Sequence, residues 1–295
     1  MTSRDIYAAD QAKGWRPWGA LVPFLGLAFV ALTVVGLTSV LQYAHLVDAN
    51  ESPVGLIGFA AFLLLPFTAL GLAVLAWVRF VERRPLATIG LAAQHGTRTF
   101  LLGHLTAVAM VSSIVAGIWI VGGFRAGYYA PAFHSPAGLG GIAVLLACFA
   151  LQSSVEEILF RGWMLSAIAA KFGVAIAIVL SSLVFTVMHY DPHAGVIFTV
   201  NVFLFAVFAC CWAIRTGNVW GVMGWHAGWN WLLATGFELR VTSLDAHLPA
   251  LLVQMIPRGP DYLTGGAEGP EGSIVCSLAL AGGLAFVGLR PTRKN

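Results

Sequence analysis

Long apolar runs separated by short polar joints occupy most of the chain. A helix needs about 20 apolar residues to cross a bilayer. Windows of that kind fall at roughly 19–43, 55–79, 100–122, 141–164, 173–190, 196–214, 219–237 and 273–289. In hydrocarbon every backbone polar group must be satisfied internally, so these runs predict helices. The predicted fold class is all-α, a polytopic membrane helix bundle of about eight transmembrane helices. The fifth to seventh windows are short and closely spaced, which predicts one compact group. Residues 1–140 would supply the N-terminal helices, with an amphipathic segment near 80–99 lying along the membrane surface. Residues 141–238 would form a core. Residues 239–295 would form an external loop, ordered in part, and the last helix. Met1 to Trp18 is polar and lacks the apolar core and cleavage site of a signal peptide. The first span is therefore expected to act as an uncleaved insertion signal.

Composition narrows the class. The chain is 59% hydrophobic and 10% charged, against about 25% charged in soluble domains. The net charge of +3 is small, and the basic residues gather at helix ends. That is a topology signal, not a nucleic-acid footprint, so the lipid bilayer is the expected partner and nucleic acid is not. With the N-terminus cytoplasmic, Arg4, Lys13, Arg16, Arg79, Arg83, Arg84, Arg98, Lys171, Arg215, Arg290, Arg293 and Lys294 share the inner side. Arg125, Arg240 and Arg258 fall outside, and Arg161 falls within a span. An integral, multi-pass protein with both termini cytoplasmic is expected. Cys148, Cys210, Cys211 and Cys276 lie in apolar segments with no CxxC spacing, and read as packing residues. Phosphate-loop motifs, fixed-period repeats and inverted repeats are not found in the sequence.

The informative residues are the polar ones in apolar windows. Glu156, Glu157 and Arg161 stand within one span, where each mid-bilayer charge costs at least ~2.5–3.5 kcal/mol. Glu157 and Arg161 are four apart with the Glu first, the favourable order for an ion pair on one helix face. Glu156 points about 100° away. It is left over and needs a cation or histidine partner. Phe185 and His189 share a face of the fifth window, with Asp191 and the weaker candidate His193 following. His226 and Asn230 share a face of the seventh, among Trp225, Trp229 and Trp231. Gly217 with Gly221, and Gly224 with Gly228, give small-xxx-small spacings that permit close helix approach. His104, Ser153, Ser154, Ser181 and Ser182 read as helix-packing hydrogen bonders.

Two chemistries fit this set. In the first, Glu156 and His189 activate a water while His226 and Asn230 stabilise an oxyanion. In the second, Glu156, His189 and His226 hold a zinc with an open position. The HExxH helix motif is absent, as are a GxSxG turn and a serine triad.

The motifs Glu156-Glu157-Ile158-Leu159-Phe160-Arg161, Phe185-Thr186-Val187-Met188-His189 and His226-Ala227-Gly228-Trp229-Asn230 resemble those of the CPBP family. These are the CAAX protease and bacteriocin-processing membrane proteases, which include the Ras-converting CAAX endopeptidases. The resemblance covers roughly 141–238. It implies an intramembrane endopeptidase of about eight helices acting on a peptide or membrane-protein substrate. Glu156 and His189 would activate the water, His226 and Asn230 would hold the oxyanion, and Glu157, Arg161 and Phe185 would support the site. It implies either a zinc at Glu156, His189 and His226 or a metal-free glutamate mechanism. Rival readings from other classes are an ion-coupled transporter and a non-catalytic scaffold or immunity-type protein. Oligomeric state is not legible in the sequence.

Overall fold

The computed structural model describes residues 6–7, 12–92 and 94–289. Arg4, Arg290, Arg293 and Lys294 of the basic set lie outside the described residues. Helices occupy all eight apolar windows. They are α1 (Val22–Tyr43), α2 (Gly55–Val81), α3 (Gly96–Ile120), α4 (Pro136–Phe172), α5 (Val174–Met188), α6 (Val196–Thr216), α7 (Trp220–Trp231) and α8 (Ile274–Leu289). Among the described residues, six helical segments are long and apolar enough to cross a membrane, the last of them running Gly266–Gly288. α5, with 15 residues, and α7, with 12 before a π-helical turn at Leu232–Gly236, fall short of the predicted spans.

The bundle has an inside and an outside. In α1, 22% of the apolar window is buried within the protein, whereas in α4 and α6 the share is 50% and 56%. α1 leaves Phe24 and Leu32 exposed, and α2 leaves Ile57 and Leu72 exposed, as lipid-facing positions require. α4 is the central helix, and every residue from Val155 to Ser166 is buried. It is also longer than its predicted window. It begins at Pro136, capped by the Ser135 hydroxyl, which accepts from the Gly138 N–H at 3.0 Å. From Ile158 to Met164 its turns are π-helical, a local widening often found at functional sites.

The glycine spacings place α7 against α3. A Cβ at Gly224 would run into the carbonyl of Phe100, and a Cβ at Gly103 of α3 would run into the carbonyl of Gly221. These backbones touch only because neither residue has a side chain. Gly224→Ala is expected to cost about 1–3 kcal/mol through overpacking, read as a lower Tm in detergent.

Two connections differ from expectation. The segment near 80–99 is expected to lie along the membrane surface, and its described residues turn partly inward. They make a short 3₁₀ turn at Leu86–Ile89 and bury Glu82, Arg84 and Ile89. Arg84 Nε pairs with Glu82 Oε2 at 2.8 Å and its Nη2 donates to Ser166 Oγ on α4. Glu82 Oε1 also accepts from the indoles of Trp77 and Trp163 at 3.0 and 2.6 Å. These contacts pin the segment inward.

The loop after α7 is structured. Its strand β2 (Val253–Pro257) pairs antiparallel with β1 (Phe124–Tyr129), in the register Phe124↔Pro257 to Ala126↔Met255, with a bulge before Tyr129↔Val253. Backbone bonds from Leu251, Leu252 and Met255 to the carbonyls of Thr235, Gly236 and Phe237 tie it to the end of α7. Val241 and Leu244 exchange backbone bonds around Thr242 and Ser243, both with positive φ, 47° and 65°. A two-residue turn of that form ordinarily uses Asn-Gly. Here carboxylates hold it. Glu271 Oε2 accepts from the Thr242 N–H at 2.6 Å and Glu268 Oε2 accepts from the Ser243 hydroxyl.

Candidate active site

The three charges on α4 have different surroundings. Glu157 and Arg161 are fully buried and pair at 3.0 Å, Oε1 to Nη1, as their spacing predicts. The same Oε1 accepts a second bond, from His226 Nδ1 at 2.8 Å. Glu157 thus neutralises Arg161 and orients the imidazole of α7. Arg161 also lies over the Phe185 ring, with Cζ 4.3 Å from its centroid, so an aromatic face shares the stabilisation of the buried cation.

Glu156 is the leftover carboxylate. Its Oε2 is buried without a hydrogen-bond partner and stands 3.7 Å from His226 Nε2. At 3.7 Å the two atoms are farther apart than a direct hydrogen bond.

His189 closes α5 and stacks on Phe185 with centroids 4.2 Å apart. Its Nδ1 lies 2.9 Å from the Phe185 carbonyl. A carbonyl only accepts, so Nδ1 carries the proton and Nε2 is the functional nitrogen. His226 follows the same logic, since Nδ1 donates to Glu157 and leaves Nε2 facing Glu156. The sequence paired Glu156 with His189. The structure makes His226 the imidazole beside Glu156 and places His189 elsewhere on the same cavity wall.

Asn230 Nδ2 donates to Gln152 Oε1 and Ser153 Oγ at 3.3 and 3.4 Å. These are long bonds, cheap to exchange for a better acceptor. Glu156, His189, His226 and Asn230 all line one cavity of about 210 Å³ enclosed by α1, α2, α4, α5, α6, α7, α8 and the loop between α7 and α8. The other predicted polar residues sit as packing groups. Ser181 donates to the Phe160 carbonyl, Ser154 to the Ala150 carbonyl, and His104 lies against Trp231. His193 stays exposed in the α5–α6 loop.

Zinc needs three converging donors. Among the described residues no group of three His, Cys, Asp or Glu is placed to hold a metal ion, Glu156, His189 and His226 included. The donor set as arranged does not fit that ion.

Sequence reasoning missed Gln152, Asn201, Thr242 and Glu271, which line the same cavity. Glu271 accepts from the Trp229 indole at 2.9 Å and from Thr242, while Asn201 Nδ2 donates to the Glu271 and Ser273 carbonyls at 2.7 and 2.9 Å. Asn201 carried a signal, an amide in an otherwise apolar stretch of α6. Glu271 carried none, because its Gly- and Pro-rich neighbours read as loop.

A polytopic helical membrane protein whose buried carboxylates and imidazoles converge on one internal cavity is the class that fold and site define. Residues 136–232, from the start of α4 to the end of α7, match the family model for type II CAAX prenyl endopeptidase Rce1-like. The match supports the CPBP/CAAX protease family, the family that the three motifs resemble, and with it a protease or hydrolase. It covers about a third of the chain. Neither curated proteins nor solved structures gave a match.

Proposed function

We propose that this protein is an intramembrane endopeptidase that hydrolyses a peptide bond of a membrane-associated, CAAX-like substrate with a glutamate-activated water. The observation that carries the reading is the buried, unbonded Glu156 Oε2 standing 3.7 Å from His226 Nε2 in a cavity that also holds His189 and Asn230. A water between Glu156 and His226 gives its proton to the Glu156 carboxylate as its oxygen bonds to the scissile carbonyl carbon. The carbonyl oxygen becomes an oxyanion, which the Asn230 amide N–H stabilises. Glu156 then passes the proton to the amide nitrogen as the C–N bond breaks. Glu157 acts as positioning residue, holding His226 by Nδ1, and the Phe185 carbonyl does the same for His189. Val30, Val34, Phe62, Phe67 and Leu70 line another part of the cavity, which suits an apolar substrate end.

The test uses purified protein in liposomes with a prenylated C-terminal peptide and a peptide leader as alternative substrates. Cleavage by the wild type, lost by at least about 10²-fold per folded molecule in His226→Ala, is the expected result. Pre-treatment with a zinc chelator is expected to leave the rate unchanged. Loss of activity restored by added zinc would overturn the metal-free mechanism, and full activity in His226→Ala would overturn the site.

A further inference from the structure

Asn230 alone gives the oxyanion one amide, whereas sites of this kind aim several preorganised donors at the charge. A second donor stands beside it. Gln152 lines the same cavity and is 7% exposed. It lies on the α-helical part of α4, four residues before Glu156. That spacing puts both side chains on one helix face, with Cβ atoms roughly 5–6 Å apart. A carbonyl group attacked by water at Glu156 thus has Gln152 one helical turn away.

The two ends of the Gln152 amide have different surroundings. Oε1 accepts from the Ser153 hydroxyl at 3.1 Å and from Asn230 Nδ2 at 3.3 Å. That end is anchored, so the rest of the amide is held in place. Nε2 makes no hydrogen bond to the described residues, yet it is not closed off as the unpartnered Glu156 Oε2 is. In a residue this buried, the space open to Nε2 is the cavity. The other side-chain N–H groups on the wall are taken. Asn201 Nδ2 donates to the carbonyls of Glu271 and Ser273, the Trp229 indole donates to Glu271, and both imidazoles spend Nδ1–H on their own partners. The ends of a primary amide are about 2.2 Å apart, which puts Nε2 within about 5.5 Å of Asn230 Nδ2. One oxygen about 2.9 Å from each nitrogen spans that distance.

We propose that Gln152 is a catalytic residue of the same hydrolysis, its Nε2–H donating to the scissile carbonyl oxygen beside Asn230 Nδ2 as that oxygen gains charge. No proton leaves Gln152. It contributes a hydrogen bond that strengthens as the negative charge develops, so it lowers the barrier more than it aids substrate binding. The inference rests on the proteolytic reading above and adds to it a residue outside the three motifs.

Steady-state cleavage by the full-length protein in liposomes tests it, with the prenylated C-terminal peptide and the peptide leader as substrates and rates taken per folded molecule. Gln152→Met keeps the side-chain volume and removes both amide groups. It is expected to lower kcat by about 10²-fold and leave KM within about twofold. Gln152→Glu keeps an oxygen for Ser153 and Asn230 and removes the donor, and is expected to lose at least as much. The Q152M/N230A variant is expected to fall at least about tenfold below either single variant, because each amide meets the oxyanion directly. A double variant no slower than Asn230→Ala would mean that Gln152 acts only by orienting Asn230, and would overturn the proposal. So would a wild-type kcat in Gln152→Met or Gln152→Glu, or a loss confined to KM. An active wild type, an inactive Glu156→Gln and an unimpaired Gln152→Met together would leave the proteolytic reading standing and remove Gln152 from it. A wild type that cleaves neither peptide would overturn both.

Discussion

Glu156→Gln is expected to cut peptide cleavage by about 10²–10⁴-fold while the protein keeps its expression level and Tm. The substitution keeps the shape of the side chain and removes only its charge and basicity. Oε2 has no hydrogen bond to lose, and the His226 imidazole stands 3.7 Å away. Replacing an unpartnered buried carboxylate with a neutral amide is close to neutral for folding, because the carboxylate's desolvation cost disappears with it. The measurement is the initial rate of cleavage in liposomes, set beside thermal unfolding of the same preparation. Full activity in Glu156→Gln would remove the general base from the mechanism.

Glu157→Gln, one residue along, is expected to behave in the opposite way and cost about 3–5 kcal/mol of stability. Arg161 is wholly buried, and its Nε and Nη2 already lack hydrogen-bond partners among the described residues. Glu157 Oε1 is the carboxylate oxygen that meets it. Removing that charge strands a guanidinium in the centre of the bundle, against the Phe185 and Phe160 rings. The variant is expected to show a lower Tm and reduced yield, and any folded fraction should be slow because a neutral amide holds the His226 Nδ1 proton less strongly than the carboxylate does. E157Q/R161M removes the stranded cation and should regain part of the lost stability, without regaining activity. If Glu157→Gln unfolded at the wild-type temperature, the ion pair would not carry the structural role given to it.

The contrast between adjacent glutamates was half legible in the sequence. The Glu157–Arg161 pair follows from a spacing of four on one helix, and the leftover status of Glu156 follows from the 100° between neighbours. The bond from Glu157 to His226 spans 69 positions and has no local signature. Nor did spacing show that His226, rather than His189, is the imidazole beside Glu156. That depends on where α5 ends, and α5 stops at Met188, leaving His189 as its cap. Helix existence was readable in all eight windows because burial in lipid leaves long apolar runs. The order in the loop after α7 was not, because its hydrogen bonds go to the carbonyls of Thr235, Gly236 and Phe237 and to two carboxylates near α8. Gly and Pro advertise turns, but they do not say what the turns lean on. The π-helical stretch at Ile158–Met164 likewise has no marker in apolar periodicity.

The two partnerships on α4 also differ in time. A nascent chain emerges from the N-terminus, so α4 reaches the membrane before α5, α6 and α7 have been made. Arg161 needs nothing that is not already in the same helix, and Glu157 can neutralise it during insertion. His226, which serves both Glu157 and Glu156, arrives only with α7. α5, at 15 residues, and α7, with 12 before its π-helical turn, are too short to cross alone. They enter as companions of longer helices rather than as independent insertions. The cavity is therefore assembled late, since α7 brings His226 and Asn230, and α8 brings Cys276 and Leu280, only after α4 has been made.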